Sequence, residues 1–275
     1  MSAPLDPRDV YREALESFRG DVRSIPDVFG LLRPDTPEMP RYLLTLRAAA
    51  EHARGRGGRR LRVCDLGGYY GIVTAAIGRL GYAGEVVDDY GPLLADTGHA
   101  DLRGWWERSG LTVHDLDLQS PDLRLPFEDG SFDLVTFLAV IEHFPHTPRL
   151  ALDEARRILR PDGLLILDTP NAGSLGTRVG FALHGEGVWS DVGELYRSDV
   201  PFPGHKRCYS RRELLAVLDW AGFEPAEVRM LDLEETRGSD ALRARVLYDV
   251  VQPALRRRWP DLRGYVWISA RPRSG

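Results

Sequence analysis

The segment VCDLGGYYG, residues 63–71, constrains the fold of this chain more than any other feature. An apolar run ends in Asp65, and Gly67, Gly68 and Gly71 follow. Because glycine has no Cβ, its backbone can adopt positive φ and approach a ligand closely, and residues 72–80 are predicted to form the next helix. The phosphate-binding turn reads G-x-G-x-x-G, whereas here an acid precedes G-G-x-x-G. The acid would repel a pyrophosphate, so the turn predicts a nucleotide ligand with a cationic end.

Composition narrows the class of protein. The chain has 275 residues, 43% apolar and 28% charged, which is typical of a soluble globular protein. Its net charge is -5, whereas a nucleic-acid-binding protein is expected to carry an excess of basic residues. Cys64 and Cys208 form no CxxC pair, no apolar run approaches the ~20 residues of a membrane span, and no signal core opens the sequence. We therefore expect a cytoplasmic protein that acts on a small molecule, without nucleic-acid or membrane partners.

Strand and helix patterns alternate along the chain, which predicts a doubly wound, mostly parallel α/β sheet with helices on both faces. After the first strand, six further strands are predicted at 84–91, 111–118, 131–140, 164–170, 223–231 and 264–272. An inserted helix from Ser239 is a candidate surface for substrate or for a homodimer contact. We divide the chain into an N-terminal helical cap at 1–38 and a main domain at 39–275. Within that domain, 172–204 is predicted to be a substrate lid.

Paired acids close the second and third predicted strands. Asp88 and Asp89 stand at the distance from the glycine turn where such folds hold ribose hydroxyls, and a carboxylate can accept from two neighbouring hydroxyls at once. Asp115 and Asp117 end the third strand, and either could reach an adenine amino group. The sequence does not choose within either pair.

Histidines follow the fourth strand. The run IEHFPH sets Glu142, His143 and His146 just past the carboxyl end of a central strand, which is the edge where open α/β sheets bind ligands. An imidazole titrates near neutrality, so His143 is our first candidate for a general base and His205, in GHKR after the lid, is the second. His146 and the remaining histidines are interpreted as surface or structural residues.

Three segments together resemble class I S-adenosylmethionine-dependent methyltransferases: DLGGYYG, then LPFEDGSFDLVTFLAVIEH, then EARRILRPDGLLILDTPN. The similarity spans roughly residues 40–225. It is strongest to the small-molecule group that includes the ubiquinone-biosynthesis O-methyltransferases. The resemblance implies a seven-stranded Rossmann-like fold and S-adenosylmethionine as cofactor.

The resemblance also implies roles for individual residues. The methionine end of the cofactor would meet Asp65 and the glycines of the turn, the ribose Asp88 or Asp89, and the adenine Asp115 or Asp117. Ala139, near the end of the fourth predicted strand, belongs to the same cofactor-binding set. The chain departs from the family in carrying Tyr69 and Tyr70 where small residues are usual.

A second departure concerns metal binding. In the ubiquinone group, a glutamate three residues before the Glu-His step can join it in holding a divalent ion. This chain has Ala139 there, so no metal site is expected.

The predicted function is methyl transfer from S-adenosylmethionine to an oxygen of a small-molecule acceptor, with nitrogen or carbon as second choices. The reaction would be an in-line displacement assisted by a histidine base. Two alternatives stay open on the sequence. One is a nicotinamide-dependent oxidoreductase, which shares the sheet and the second-strand acid. The other is a methyltransferase-like module that binds a ligand without turnover.

Overall fold

The computed structural model describes residues 6–25, 36, 38–54, 56, 60–91, 99–185, 192–198, 202, 204–233 and 252–273. Within them, seven strands form one sheet in the order β3-β2-β1-β4-β5-β7-β6. In chain order these strands are β1 Leu61–Leu66, β2 Tyr82–Asp88, β3 Leu111–Asp115, β4 Phe132–Leu138, β5 Leu159–Pro170, β6 Phe223–Leu231 and β7 Tyr265–Pro272. The helix predicted from Ser239 lies outside the described residues.

The first five strands run parallel, and β7 lies antiparallel between β5 and β6. The order reverses between β1 and β4, so ligands are expected in the crevice at the carboxyl ends of these two strands. The prediction of a doubly wound, mostly parallel seven-stranded sheet is confirmed.

Helices cover both faces of the sheet. The α-helices span Pro7–Asp21, Met39–Ala53, Ile72–Arg79, Ala100–Arg108, Arg149–Ile158, Leu175–His184, Val192–Arg197, Arg211–Trp220 and Gln252–Arg258, with 3-10 turns at Ile141–His143 and Pro260–Leu262. No helix in the described part of the chain has both the length and the apolar character needed to cross a bilayer.

Two hydrophobic clusters form the core, one on each face. Successive residues of a strand alternate between them: Val63 belongs to the first cluster and Cys64 to the second, as Leu134 and Val135 do on β4. This explains the continuous apolar sequence of the central strands, since both of their faces are buried. The first helices, including the one at Pro7–Asp21, cover the first face, so this N-terminal helix is part of the main core. That it also closes a pocket stays a prediction.

Several predicted boundaries were wrong. The second strand is Tyr82–Asp88 and not 84–91, and the fourth is Phe132–Leu138 and not 131–140. β3 ends at Asp115, and Asp117 lies beyond it in a turn where its Oδ1 accepts from the Gln119 N–H at 2.8 Å. β5 begins at Leu159 because the Arg160–Gly163 segment bulges within the strand, between the register pairs Phe132 with Leu159 and Leu134 with Leu164. The helix after the fourth strand begins at Arg149, with Pro148 as its N-cap residue.

Candidate active site

The glycine turn follows β1 at the carboxyl edge of the sheet. Gly67 and Gly71 have φ of 75° and 79°, in the left-handed region that favours glycine. The Gly67 N–H donates to the Val87 carbonyl of β2 at 2.7 Å, which ties the turn to its neighbouring strand. A Cβ on Gly71 would lie 2.9 Å from Leu111 Cδ1, so both conformation and space require glycine there. The turn ends where the helix Ile72–Arg79 begins.

Tyr69 occupies an unusual conformation within this turn. Its φ of 50° is uncommon for a residue with a side chain. Its N–H donates to Asp88 Oδ2 at 2.8 Å, and its hydroxyl lies 2.9 Å from the Tyr70 hydroxyl. These hydrogen bonds hold a bulky residue where the family usually has a small one. The tyrosines therefore leave the form of the turn intact.

Asp65 is buried, with 3% of its surface exposed. The Thr136 hydroxyl donates to its Oδ1 at 2.7 Å, and the Thr74 hydroxyl donates to its Oδ2. Burial raises the pKa of this carboxyl, while the two hydroxyl donors oppose the rise. Asp65 thus joins β1, β4 and the first helix after the turn. Sequence reasoning missed both threonines, although Thr136 is one of only two polar residues in β4, with Asp133.

The structure separates the two acids that follow β2. Asp88 accepts from the Tyr69 N–H and, through Oδ1, from the Asp89 N–H at 2.9 Å, so it lies directly against the glycine turn. Burial raises the pKa of Asp88 to about 6. Asp89 is exposed, and its Oδ1 accepts from the nearby Gly91 N–H at 3.2 Å. Asp88 is therefore the acid nearer to the turn.

The acids of the third strand are also separated. Asp115 is in register with Asp88, and its Oδ1 accepts from the Tyr90 N–H at 2.7 Å. Asp117 is exposed and lies beyond the end of the strand. Asp115 thus shares the sheet edge with Asp88, and Asp117 does not.

Ala139 marks the end of β4. Its φ is 54°, and its N–H donates to Asp168 Oδ1 at 2.8 Å. The Arg41 guanidinium lies 3.1 Å from the same carboxylate, and both charged groups are buried. Burial raises the pKa of Asp168 to about 6, against the opposing effect of Arg41. This ion pair between β5 and the helix Met39–Ala53 was not predicted, because its members are 127 residues apart.

Glu142 is fully buried in the 3-10 turn after β4. Its Oε2 accepts from the Thr169 hydroxyl at 2.9 Å, and its Oε1 has no hydrogen-bond partner among the described residues. Burial raises the pKa of this carboxyl to about 8. An acid without a full set of donors in a buried position is costly, so this oxygen needs an explanation.

The two predicted base candidates lie together. The Lys206 and Arg207 N–H groups donate to the Glu142 carbonyl at 2.7 and 3.1 Å, which docks the loop carrying His205 onto the 3-10 turn. The His143 and His205 ring centroids are 4.9 Å apart with nearly perpendicular planes. Burial, with help from Lys206, lowers the pKa of His205, so its neutral form is favoured. His146 is exposed and lies outside this group.

The predicted lid region contains two helices, Leu175–His184 and Val192–Arg197. Large apolar side chains on these helices are exposed: Phe181, Leu183, Val192, Leu195 and Tyr196. Its role as a lid stays a prediction.

Comparison with known proteins assigns the class. A family model described as a methyltransferase domain matches residues 37–228. Demethylmenaquinone methyltransferase of Bacillus cereus is 26% identical over 186 residues, 63% of this chain and 73% of that protein.

Among solved structures, 1,6-didemethyltoxoflavin-N1-methyltransferase of Burkholderia thailandensis, with its substrate and S-adenosylhomocysteine bound, matches with a TM-score of 0.50 at 17% identity. The match covers 100% of this chain and 94% of that one. YcgJ of Bacillus subtilis matches with a TM-score of 0.53 at 18% identity, covering 86% and 100%. At these identities the structures show the shared fold.

The family model covers more than half of the chain, so the chain belongs to this methyltransferase family. It is an enzyme whose methyl donor is S-adenosylmethionine. The family match decides between the two enzyme classes that the sequence left open. The chain is a methyltransferase and not a nicotinamide-dependent oxidoreductase.

Proposed function

We propose that the enzyme methylates an oxygen of a small-molecule acceptor, with His143 as the general base. One observation carries the proposal: the glycine turn after β1 and the His143–His205 pair after β4 lie at the carboxyl ends of adjacent strands. A donor held at the turn would direct its methyl group toward this edge.

The cofactor would be bound by groups that line the edge in order. The backbone of the glycine turn and Asp65 would receive the methionine end, since each Asp65 oxygen keeps a lone pair after accepting from its threonine. Asp88 would accept from the ribose hydroxyls, and Asp115 would lie near adenine. The backbone of Ala139 would border the same site. Asp89 and Asp117 are the weaker candidates, because Asp88 and not Asp89 accepts from the backbone of the glycine turn, and Asp117 lies beyond the end of β3.

The chemistry requires placement first. Holding an acceptor at attack distance from the sulfonium methyl is worth ~7 to 11 kcal/mol. As the acceptor oxygen bonds to the methyl carbon, the carbon–sulfur bond breaks and S-adenosylhomocysteine leaves as a neutral thioether. The hydroxyl proton passes to the imidazole of His143, because histidine side chains in general can take up a proton near neutral pH. His205, kept neutral by its lowered pKa, is the second candidate for this proton.

The acceptor would be a small molecule because the named relatives act on such compounds. The Bacillus cereus relative is named for demethylmenaquinone, and the Burkholderia enzyme for the N1 position of 1,6-didemethyltoxoflavin. The second of these names a nitrogen acceptor, so nitrogen is the second choice for this chain. Residues 172–204, with exposed Phe181 and Tyr196, would cover the acceptor as a lid, and the N-terminal segment 1–38 would close the opposite side.

The test combines binding and product analysis. Calorimetry should detect S-adenosylhomocysteine binding and no comparable binding of NADH. A panel of hydroxyl and amine metabolites, scored by S-adenosylhomocysteine release, should yield an acceptor whose methylated product carries the new methyl on oxygen in its fragmentation spectrum. A product methylated on nitrogen or carbon would contradict the choice of atom. Binding of the cofactor without turnover of any acceptor would favour the non-catalytic module.

A further inference from the structure

Glu142, His143 and His205 bring three potential ligand atoms together. One carboxylate oxygen and one nitrogen of each imidazole all lie within 4.8 Å of one another. The residues come from the turn after β4 and from the loop before the helix Arg211–Trp220. Sequence spacing alone would not predict that these side chains meet, because His205 is 62 positions beyond His143.

A second observation points to a ligand. Glu142 is fully buried, and its Oε1 has no hydrogen-bond partner among the described residues, while Oε2 is occupied by Thr169. Oε1 belongs to the carboxylate that shares this group with the two imidazoles. A cation at this point would supply the partner that the surrounding protein does not, and would offset the cost of burying the acid.

The backbone fixes the group before any ligand arrives. Two consecutive N–H groups, from Lys206 and Arg207, donate to the Glu142 carbonyl. These bonds hold His205, which directly precedes Lys206, against the turn that carries His143. The cluster is therefore built by main-chain contacts and not by flexible surface side chains.

We propose that Glu142, His143 and His205 form a binding site for a divalent transition metal ion. Two imidazoles and one carboxylate suit Zn²⁺ and its neighbours in the first transition row, whereas Mg²⁺ prefers oxygen ligands. With bonds of ~2.0 to 2.2 Å, ligand atoms on a tetrahedral zinc lie about 3.4 Å apart. Side-chain rotations that move each ligand atom by about an ångström would bring the three atoms to this separation. Three protein ligands leave the fourth position open, as in catalytic zinc sites.

This ligand set differs from the one that the resemblance implies. The family pattern described above would draw its extra ligand from the position of Ala139, which has no ligand atom in its side chain. His146, the nearer histidine in sequence, is exposed and outside the group. His205 takes that place through the fold of the loop.

Metal binding and the proposed base use the same side chain. An imidazole nitrogen bound to an ion cannot accept a proton, so in the loaded enzyme the ion would lower the pKa of a coordinated acceptor hydroxyl, whose proton would pass to solvent water. The metal site does not require His143 to act as the base, so the two proposals can be tested separately.

The experiment uses the full chain after treatment with a chelator and dialysis. Calorimetric titration with Zn²⁺ should show one strong site per chain, and Mg²⁺ should show none. Co²⁺ should give the visible absorption of a low-coordinate site with nitrogen ligands. His205→Ala and Glu142→Gln should each weaken Zn²⁺ binding by more than the ~10 to 100-fold that loss of an outer partner costs.

Matched controls separate this result from misfolding and from adventitious histidine binding. His146→Ala should bind Zn²⁺ as the wild type does, and all variants should keep the wild-type circular dichroism and S-adenosylhomocysteine affinity. Absence of a strong Zn²⁺ site, or equal binding by His205→Ala and the wild type, would overturn the proposal. Methyl transfer by the metal-free enzyme would support the function proposed above whatever the metal result.

Discussion

The two halves of the sheet edge treat a buried acid in opposite ways. Near the end of β1, Asp65 receives hydroxyl donors on both oxygens, from Thr74 and Thr136. After β4, Glu142 receives one donor from Thr169, and its other oxygen has none among the described residues. β1 and β4 are neighbouring strands, and both acids lie toward the same edge of the sheet. They differ in the number of hydrogen-bond donors that they receive.

The comparison shows how one edge divides its tasks. A carboxylate with a hydroxyl donor on each oxygen holds the surrounding elements in a fixed form, which suits a surface that must orient a nucleotide. A buried carboxyl with an open oxygen beside two imidazoles is ready to take up a proton or a cation. We infer that the β1 half binds and the β4 half reacts, and four predictions test this division.

The largest expected effect is on turnover. His143→Ala should lower turnover by ~10² to 10⁴, because the acceptor proton loses its base, while S-adenosylhomocysteine affinity stays close to the wild-type value. Steady-state kinetics with the acceptor from the panel, beside calorimetry, measures both quantities. His146→Ala is the matched control and should keep full activity. Retained turnover in His143→Ala would remove this residue from the mechanism.

The second effect is on cofactor binding. Asp65→Ala removes a charged acceptor, and hydrogen bonds to charged groups are worth ~1.5 to 3 kcal/mol, so S-adenosylhomocysteine affinity should fall ~10 to 100-fold. The Thr74 and Thr136 hydroxyls also lose their acceptor, so thermal unfolding should show a loss of about 1–3 kcal/mol. Asp117→Ala, in the exposed turn, should change neither quantity. Wild-type cofactor affinity in Asp65→Ala would break the division of tasks.

The third effect depends on pH. Burial raises the pKa of Asp88 to about 6, and only its carboxylate form accepts from both ribose hydroxyls. Binding therefore favours the charged form, and S-adenosylhomocysteine affinity should fall as pH drops below about 6, up to ~10-fold per unit.

Two variants separate the paired acids in this titration. Asp88→Asn should bind more weakly with a flatter pH profile, whereas Asp89→Asn should keep the wild-type profile. If Asp89→Asn were the variant that flattens the pH profile, Asp89 and not Asp88 would be the residue that binds the ribose. For stability the sign is opposite to the usual carboxyl: the raised pKa favours the protonated native state, so any contribution of Asp88 is present at low pH and is lost as pH rises through about 6.

The smallest effect concerns the glycine turn alone. Gly71→Ala should cost ~1 to 2 kcal/mol of stability, since a side chain at φ of 79° is strained and would contact Leu111. Gly78→Ala lies in the following helix, where a Cβ meets nothing within 4 Å, and should stabilise the protein by ~0.4 to 1 kcal/mol. Chemical denaturation of both variants measures the contrast. Equal effects would mean that the conformation at Gly71 is relieved elsewhere.

Much of the fold could be read from local patterns. Ser210 and Glu213 have the S-x-x-E spacing of a capping box, and in the structure the side chain of each bonds to the backbone N–H of the other. Strand ends were less predictable: the bulge at Arg160–Gly163 looks like a turn in sequence, and only pairing with β4 makes it part of β5. Among the site residues, the sequence proposed His143 and His205 separately, without a reason to join them.

The sequence by itself determined the class of fold, the glycine turn and the set of acids at the strand ends. These follow from side-chain periodicity, glycine's φ range and the position of polar residues after apolar strands, all of which act over a few neighbouring residues. Only the tertiary structure chose Asp88 over Asp89 as the neighbour of the turn, paired Arg41 with Asp168, and brought His205 to His143. Those choices depend on burial and on contacts between distant segments, and such contacts exist only after the chain has packed.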